Sequence, residues 1–416
     1  MHSTRFMSKP HKDYTEAIHW LFEQFPSYQV IGSKAYKPTL ENIRVLLEII
    51  GNPQDQLKFV HVAGSNGKGS TCSMIASCLT ESNYKVGLFT SPHIEDYSER
   101  IRVNGQTIYH DSVTKFVNQI KDEQLSFSPS FFEITFALAL QHFAEESCDI
   151  CIIETGLGGR LDATNVIDPI LSIITTISLE HTDILGDTVE EIAIEKAGII
   201  KQNTPILIGG IQSPAIDEIK NVAESMNAPM YSCENAIEIH SEFSLLGLYQ
   251  RDNYKLAISA LNILKEQGVP VKNSAFMRGI DNLSLNTGFR GRLQIISRKP
   301  LTIMDVSHNP DGIKATLDTV AELNAGTLHI IFGLSADKDL KQIISTFPDH
   351  ANTYFTEFSN LRSAKIAQIQ EISDLHPKDL KFFENPKSAL EGAQNIAKQD
   401  DTILIIGSFF LVADFF

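Results

Sequence analysis

The sequence predicts an α/β fold of two domains, a large one followed by a smaller one, each built on a mostly parallel sheet. Three observations support this prediction. Short apolar runs rich in Ile and Val alternate with helical patterns along the chain. The alternation starts again near residue 287, after the connector Asn286-Thr287-Gly288. With 416 residues, of which 43% are hydrophobic, the chain is long enough for roughly two to three domains with cores of their own.

The large domain is predicted to span residues 1–286. We assign its strands to the apolar runs at 57–63, 85–89, 148–154, 169–177 and 204–210. Helical patterns lie between these runs, beginning near Lys68 and covering 131–146 and 189–200. Strands separated by helices form βαβ units, and such units predict a parallel sheet.

The small domain is predicted to span residues 287–416. Its strands are assigned to the runs at 300–306, 327–333, 352–358, 380–384 and 401–407. Helical segments such as PDGIKATLDTVAEL separate them. About 130 residues of βα repeats are enough for a Rossmann-like domain.

Composition excludes several classes of function. Against 51 acidic residues there are 35 basic ones, which gives a net charge of −16, so the chain is a poor candidate for binding a nucleic-acid backbone. No apolar run is long enough to span a membrane, and the N-terminus lacks the apolar stretch of a secretory signal. The five cysteines are an odd number, which favours free thiols in a reducing cytoplasm. We therefore expect a cytoplasmic protein.

The strongest local signal is the segment VAGSNGKGST at residues 62–71. A predicted strand leads into a glycine-rich turn and then into a helix, which is how a phosphate-binding loop is built. Lys68 supplies a positive charge, and the hydroxyls of Ser70 and Thr71 are candidate phosphate ligands. The match to G-x-x-x-x-G-K-[ST] is imperfect, because the first glycine is missing and an extra one precedes the hydroxyl. The flanking strand and helix favour a P-loop NTPase-like domain over a simple turn with a surface lysine.

Further candidates follow the other predicted strands of the large domain. Ser91 and Glu154 lie at strand ends, where a hydroxyl and a carboxylate are suited to a phosphate-bound Mg²⁺. The run Gly156–Gly159 indicates close approach of backbone to a ligand. His181 also follows a strand, and Lys196 lies in a helix. Taken singly, Ser91, Glu154, His181 and Lys196 are better explained by capping, structural hydrogen bonding or a solvated helix face.

The small domain has its own candidates. Arg292 lies at its start and could reach a nucleotide phosphate across a cleft. Asp305 and His308 follow one strand and Ser408 follows the last one. Asp305 and His308 could bind substrate or ribose, and helix capping or a surface arginine are the alternative interpretations.

Together these segments resemble the folylpolyglutamate synthase and dihydrofolate synthase family of the Mur-ligase superfamily. The matching strings occur in the family's order and extend from about residue 60 to 412. They are GSNGKGS, TSPHIEDYSERI, ETGLGGRLDATN, SLEHTDILG, EKAGII, FRGRL, DVSHNP and IGSFFLV. The resemblance implies an ATP-dependent carboxylate–amine ligase that uses ATP and two Mg²⁺ ions. It implies transfer of the γ-phosphoryl group to a substrate carboxylate, followed by attack of the amine of L-glutamate on the acyl phosphate.

The resemblance also implies roles for individual residues, with Ser91 and Glu154 at the first Mg²⁺ and Glu154 and His181 at the second. The expected metal ligands are Ser91, Glu154 and His181. The expected nucleotide-binding residues are Gly64, Asn66, Gly67, Lys68, Gly69, Ser70, Thr71, Asn253, Arg292 and Asp305. The expected catalytic residues are Lys68, His181, Arg292 and Lys196, the last at the position that the family carbamylates. The expected substrate contacts are Phe132, Glu133, Thr135, His308 and Ser408.

The sequence departs from the family pattern in places. FRGR carries Phe289 where the family usually has Trp, and the segment at 31–42, which would lie near the pterin pocket, is divergent. The motifs serve both the first glutamylation and tail extension, and a bifunctional enzyme is favoured. The alternatives are a UDP-muropeptide ligase, for which the 63 residues before Gly64 are too few to hold a UDP-binding domain, and a P-loop nucleotide switch. We expect small-molecule substrates, no nucleic acid or membrane partner, and a monomer.

Overall fold

The computed structural model describes residues 12–25, 37–233, 247–323, 326–373 and 380–416. These residues form one sheet of eight strands and one of six, with helices packed on them. Both sheets are mostly parallel, which confirms the predicted two-sheet α/β fold. No helix of the described ranges is long and apolar enough to cross a membrane.

The elements follow in chain order. The first sheet contains β1 (Phe59–Ala63), β2 (Val86–Phe89), β3 (Ile101–Val103), β4 (Gln106–Thr107), β5 (Ile150–Glu154), β6 (Pro169–Ile174), β7 (Ile206–Ile208) and β8 (Met230–Ser232). The second contains β9 (Gln294–Arg298), β10 (Leu301–Asp305), β11 (Leu328–Phe332), β12 (Asn352–Thr356), β13 (Leu380–Phe383) and β14 (Thr402–Ile406).

The helices that accompany the first sheet are α1 (Lys12–Gln24), α2 (Glu41–Ile49), α3 (Lys68–Thr80), α4 (His110–Asp122), α5 (Phe131–Glu145), α6 (Thr182–Leu185), α7 (Val189–Ala197), α8 (Ala215–Ser225), α9 (Leu248–Glu266), α10 (Ser274–Asp281) and α11 (Leu283–Thr287). Those that accompany the second are α12 (Pro310–Leu323), α13 (Leu340–Ser345), α14 (Ile366–Ser373), α15 (Pro386–Gln394) and α16 (Phe409–Ala413).

The order of the first sheet, β4-β3-β2-β5-β1-β6-β7-β8, places β1 between β5 and β6. All three strands run parallel, and every residue of β1 is buried because helices cover both faces. The carboxyl ends of β1, β5 and β6 therefore meet at one edge of the sheet. The sequence did not predict β3 and β4, which add an antiparallel edge next to β2.

The second sheet has the order β13-β12-β11-β14-β10-β9. Its parallel core is β13 to β10, and β9 pairs antiparallel with β10. The segments after β10, β14 and β11 therefore share one edge, as the segments after β1 and β5 do in the first sheet. The residues that follow these strands carry the candidate site.

The connection between the two sheets runs through α9, α10 and α11, which pack on α3. The hydroxyl of Ser77 on α3 donates to the Gly279 carbonyl of α10 at 2.5 Å. The last of these helices ends at Thr287, and Gly288 follows with a left-handed φ of 66°. The division of domains between residues 286 and 287 stays a prediction; β9 begins seven residues later, at Gln294.

Candidate active site

A cavity of about 280 Å³ lies between the carboxyl ends of the two sheets. Residues from both domains line the cavity, and they include most of the site residues predicted from the sequence. These are Asn66, Gly67, Lys68, Gly69, Ser91, Phe132, Glu133, Glu154, His181, Lys196, Arg292, His308 and Ser408. We refer to this cavity as the cleft.

The glycine-rich loop lies between β1 and α3, as predicted. Lys68 is the first residue of α3, and its Nζ donates to the carbonyls of Gly64 at 2.8 Å and Ser65 at 3.3 Å. Gly67 has a left-handed φ of 85°, and a Cβ there would collide with the side chain of Asn253. The loop therefore needs glycine at this position, and it places the amino end of α3 toward the cleft, where an anion is stabilised.

Glu154 ends β5, is only 4% exposed, and accepts a hydrogen bond from the backbone N–H of Ser91 at 2.9 Å. Burial raises the pKa of this carboxyl group, while Lys68, the Ser91 N–H and Arg292 favour its charged form. A buried carboxylate beside a serine hydroxyl is the oxygen donor set that Mg²⁺ prefers. The residues present thus fit a magnesium ion.

His181 lies on the same side of the cleft, at the start of α6, with a left-handed φ of 49°. Burial, and next the charge of Lys338, lower the pKa of its imidazole to about 3, so the ring is neutral and able to bind a cation. Within the described ranges, no three His, Cys, Asp or Glu side chains are close enough to form a metal site by themselves. A metal here would need phosphate oxygens and water as further ligands, which is typical of Mg²⁺.

Lys196 on α7 is 1% exposed, so the solvated helix face is excluded. Its Nζ donates to the Gly64 carbonyl at 3.0 Å and to Glu180 Oε1 at 2.9 Å. Burial lowers the pKa of the lysine. Although burial acts in the opposite direction, Lys196 and Lys68 hold the pKa of Glu180 well below its usual range. The predicted carbamate at Lys196 stays a prediction.

The small-domain wall carries Arg292, His308 and Ser408. The guanidinium of Arg292 lies 5.1 Å from the ring centre of Phe409. His308 Nδ1 is 3.1 Å from the carbonyl oxygen of Val306. Burial lowers the pKa of the His308 imidazole to about 4. Ser408 accepts a hydrogen bond from the Phe410 N–H at 3.1 Å and so caps α16.

Two predicted residues are turned away from the cleft into the interior. The Thr135 hydroxyl donates to the Phe131 carbonyl at 2.7 Å and accepts from Tyr97, which is helix packing within the large domain. Asp305 is fully buried and accepts hydrogen bonds from Tyr249 and from the Leu293 N–H, each at 2.8 Å. Neither residue lines the cleft, and their predicted roles toward the substrate and the nucleotide stay predictions.

Other predicted residues lie just behind the wall or combine two roles. Glu133 faces the cleft, yet one carboxylate oxygen accepts from the Ser130 N–H at 2.5 Å as part of a capping box that begins α5. Residues 31–36 of the divergent segment lie outside the described residues, whereas Lys37 and Thr39 line the cleft. Gly64, Ser70, Thr71 and Asn253 do not line the cleft; the last three are buried, and the Asn253 side chain lies against Gly67 of the loop.

The sequence analysis gave no role to six charged residues that line the cleft: Lys37, Arg100, Asp162, Glu180, Lys338 and Arg362. Lys338 follows β11, so the strand-end argument that selected His308 could have found it. Burial lowers the pKa of Lys338, and Asp337 beside it accepts from Arg362 at 2.7 Å. Arg362 lies in a loop between β12 and α14, and no sequence signal marks it.

Comparison with known proteins places this geometry in a family. A family model described as the Mur ligase middle domain matches residues 62–245, and one described as Mur ligase, glutamate ligase domain, matches 291–409. The dihydrofolate synthase/folylpolyglutamate synthase of Bacillus subtilis is 33% identical over 410 residues, which cover 91% of this chain and 94% of that protein.

Two solved structures illustrate the likeness in three dimensions. E. coli FolC in complex with DHPP and ADP has a TM-score of 0.83 and 28% identity, covering 98% of this chain and 97% of that one. The bifunctional folylpolyglutamate synthase/dihydrofolate synthase of Yersinia pestis, complexed with AMPPNP and Mn ion, has a TM-score of 0.83 and 27% identity, covering 98% of each chain.

Proposed function

This chain belongs to the dihydrofolate synthase/folylpolyglutamate synthase family, and from that premise we propose that it is an ATP-dependent ligase that adds L-glutamate to dihydropteroate, to reduced folates, or to both. The observation that supports this most directly is the composition of the cleft. Lys68 and Glu154 lie on its large-domain wall, and His308 and Ser408 lie on the opposite wall. A phosphate-binding loop thus faces the side chains suited to a polar amine donor.

The reaction that we propose is the one implied by the family resemblance, and the arrangement of the cleft suits it. The loop and Lys68 hold the phosphates of ATP, while the substrate carboxylate attacks the γ-phosphorus and ADP leaves. The amine of glutamate then attacks the acyl phosphate and expels inorganic phosphate, which leaves an amide. Mg²⁺ held by Ser91 and Glu154 would neutralise charge on the triphosphate.

The protein contributes positioning and exclusion of water. An acyl phosphate hydrolyses if water reaches it, so a cleft between two domains protects it. Arg292 enters from the small-domain side and lies close enough to Glu154 to influence its ionisation. We propose that Arg292 stabilises the transferring phosphoryl group.

The relatives described above do not support the two alternatives, a UDP-muropeptide ligase and a nucleotide switch. We further propose that the protein acts as a monomer in the cytoplasm. All five cysteines are free thiols, and four of them are buried, which suits a reducing compartment. Light scattering on the purified protein tests the oligomeric state.

The decisive experiment measures ADP release with dihydropteroate and tetrahydrofolate offered separately, each with and without L-glutamate. We expect release that depends on glutamate with at least one pterin substrate, together with a product heavier by one glutamyl residue. D-Glutamate is the matched control for the amine donor. ADP release that is indifferent to glutamate would indicate a nucleotide switch or simple ATPase instead.

A further inference from the structure

The side chains of Asn66 and Asn309 form a reciprocal amide pair between the two domains. Asn66 Nδ2 donates to Asn309 Oδ1 at 3.3 Å, and Asn309 Nδ2 donates to Asn66 Oδ1 at 3.0 Å. The two residues are 243 positions apart in the chain. One lies in the phosphate loop, and the other immediately precedes α12 of the second sheet.

The Asn66 end of this pair is fixed to the large domain through its backbone. Its N–H donates to Thr176 Oγ1 at 2.9 Å, and its carbonyl accepts from the hydroxyl of Thr175 at 2.6 Å. Both polar atoms of its side chain are used by Asn309. In this arrangement the Asn66 side chain is bonded to the other domain.

The Asn309 end is equally fixed to the small domain. Its Oδ1 also accepts from the Gly312 N–H at 2.8 Å and so caps the first turn of α12. Asn309 is 5% exposed and follows His308, which lines the cleft. Any shift of this turn against the phosphate loop therefore moves His308 relative to Lys68.

We propose that Asn66 and Asn309 are positioning residues for the ligase reaction, whose paired amides set the distance between the phosphate loop and the small-domain wall of the cleft. The proposal rests on the proposed function. Neither side chain needs to touch the reacting atoms. Two directional hydrogen bonds between the amides hold the two walls of the cleft at a fixed distance and orientation. A reaction between two bound substrates requires such fixed positions.

Gly312 gives an independent reason to regard this contact as closely fitted. A Cβ at this position would lie 3.0 Å from Asn309 Oδ1 and 3.3 Å from Asn66 Oδ1. Ordinary contacts of a Cβ are longer, so the side chain of alanine would press on both amides. Alanine also has a higher helix propensity than glycine. The higher helix preference of alanine offsets the cost of displacing these amides, so Gly312→Ala should change the melting temperature little, while turnover falls.

The main test is a double-mutant cycle on kcat with Asn66→Ala, Asn309→Ser and the double variant. Serine keeps the capability to cap α12 but is too short to reach Asn66. We expect each single variant to lose about tenfold in kcat and the double variant to lose no more than the worse single one. Asn118→Ala, on the exposed face of α4, is the matched amide control.

The second readout separates positioning from nucleotide binding. Asn309→Ser should bind Mg·AMPPNP within about twofold of the wild type by calorimetry, because the loop backbone is untouched. Losses that multiply in the double variant, a wild-type kcat for Asn309→Ser, or full activity of Gly312→Ala would each overturn the proposal.

Failure of the proposed function is recognised separately, since the wild type would then show no glutamate-dependent ADP release. In that case, the contact between Asn66 and Asn309 is tested by measuring amide hydrogen exchange of residues 64–71 in the protein without substrates. Faster exchange in Asn309→Ser than in Asn118→Ala supports the contact, and equal exchange refutes it.

Discussion

Lys68 and Lys196 donate to the same carbonyl oxygen, that of Gly64, at 2.8 and 3.0 Å. One lysine begins the helix after the phosphate loop, and the other reaches the loop from α7. Glu180 pairs with Lys196, and its pKa is held low by both lysines. With Lys196 as an ammonium, two cations share one anion beside the loop, which suits a polyphosphate, whereas a carbamate at Lys196 would reverse that balance.

Replacing Lys68 or Glu154 by alanine should reduce turnover by about 10² to 10³, since each removes one electrostatic stabiliser of phosphoryl transfer. The fold should persist, because among the described residues Lys68 donates only to carbonyls of its own loop and Glu154 accepts from one N–H. The measurement is kcat at saturating ATP and Mg²⁺, with circular dichroism as the check on folding. Lys115→Ala, exposed on α4, is the matched control. Variants that retain more than about a third of wild-type turnover would contradict both assignments.

Lys196 gives two opposite predictions. As a carbamate, it supplies an anion, so acetate or formate should restore part of the turnover lost in Lys196→Ala. As the ammonium that pairs with Glu180 at 2.9 Å, it supplies a cation, so Lys196→Arg should keep some activity and added carboxylate should have no effect. We keep the carbamate as the prediction, because burial lowers the pKa of this lysine and a neutral amine is the form that reacts with CO₂.

The measurement for Lys196 is the ligase rate of both variants over an acetate titration at constant ionic strength. Glu180→Gln is the companion variant. A carbamate would gain from losing the neighbouring carboxylate, whereas an ammonium would lose its ion-pair partner. Rescue by arginine without rescue by acetate refutes the carbamate.

The sequence predicted where the main strands lie along the chain and which residues stand near their carboxyl ends, because both depend on local patterns. Glu154 and His308 are the clearest cases, since Glu154 ends β5 and His308 lies three residues after β10, and both strands are buried apolar runs. Periodicity could not indicate that Lys196 is buried, because the pairing with Glu180 is tertiary. Nor could it show that Asp305 turns inward to Tyr249, whose helix is 56 residues earlier in the chain.

Ser408→Ala should raise KM for glutamate more than KM for ATP. The hydroxyl lines the small-domain wall, opposite the phosphate loop, where an amine donor with two carboxylates needs hydrogen-bonding groups. The substitution also removes a helix cap, which costs about 1 kcal/mol of stability. Asn385→Ala removes the equivalent cap of α15, where Asn385 accepts from the Ser388 N–H at 2.9 Å, and so controls for stability alone. An unchanged KM for glutamate in Ser408→Ala would show that Ser408 does not bind glutamate.

Arg290 should stabilise the protein in a salt-dependent manner. Its guanidinium pairs with Glu95 and Glu99, which lie in the loop that follows Ser91, and it stacks 4.5 Å from the ring centre of Phe416. Arg290 and Glu95 are partly exposed and Glu99 is buried, so Arg290→Gln should lower stability by about 1 kcal/mol at low salt and by less in 1 M NaCl. Melting temperatures at both salt concentrations provide the test, with the exposed Arg298→Gln as the control. Equal losses at low and high salt would show that Arg290 acts by packing alone.

His61 should make the fold less stable as the pH falls below 6.5. The residue is fully buried on β1, with Nε2 2.8 Å from Thr164 Oγ1 and with no partner for Nδ1 among the described residues. Burial, and next the charge of Lys201, lower the pKa of His61 from 6.5 to about 3. The neutral ring is therefore the form that folds. Between pH 6.5 and 3 the unfolded chain binds a proton that the folded chain does not, so stability declines as pH decreases through this window.

At pH 5 the His61 contribution amounts to about 2 kcal/mol, since one pKa unit corresponds to ~1.4 kcal/mol. His61→Gln keeps an amide donor within reach of Thr164 but does not titrate. We expect the free energy of unfolding in urea to fall by about 2 kcal/mol less between pH 7 and pH 5 in this variant than in the wild type. The other histidines are common to both proteins and cancel in the comparison, and His19→Gln, exposed on α1, is the matched control. If wild type and His61→Gln lose stability in parallel, the buried imidazole takes up its proton without unfolding and the assignment is wrong.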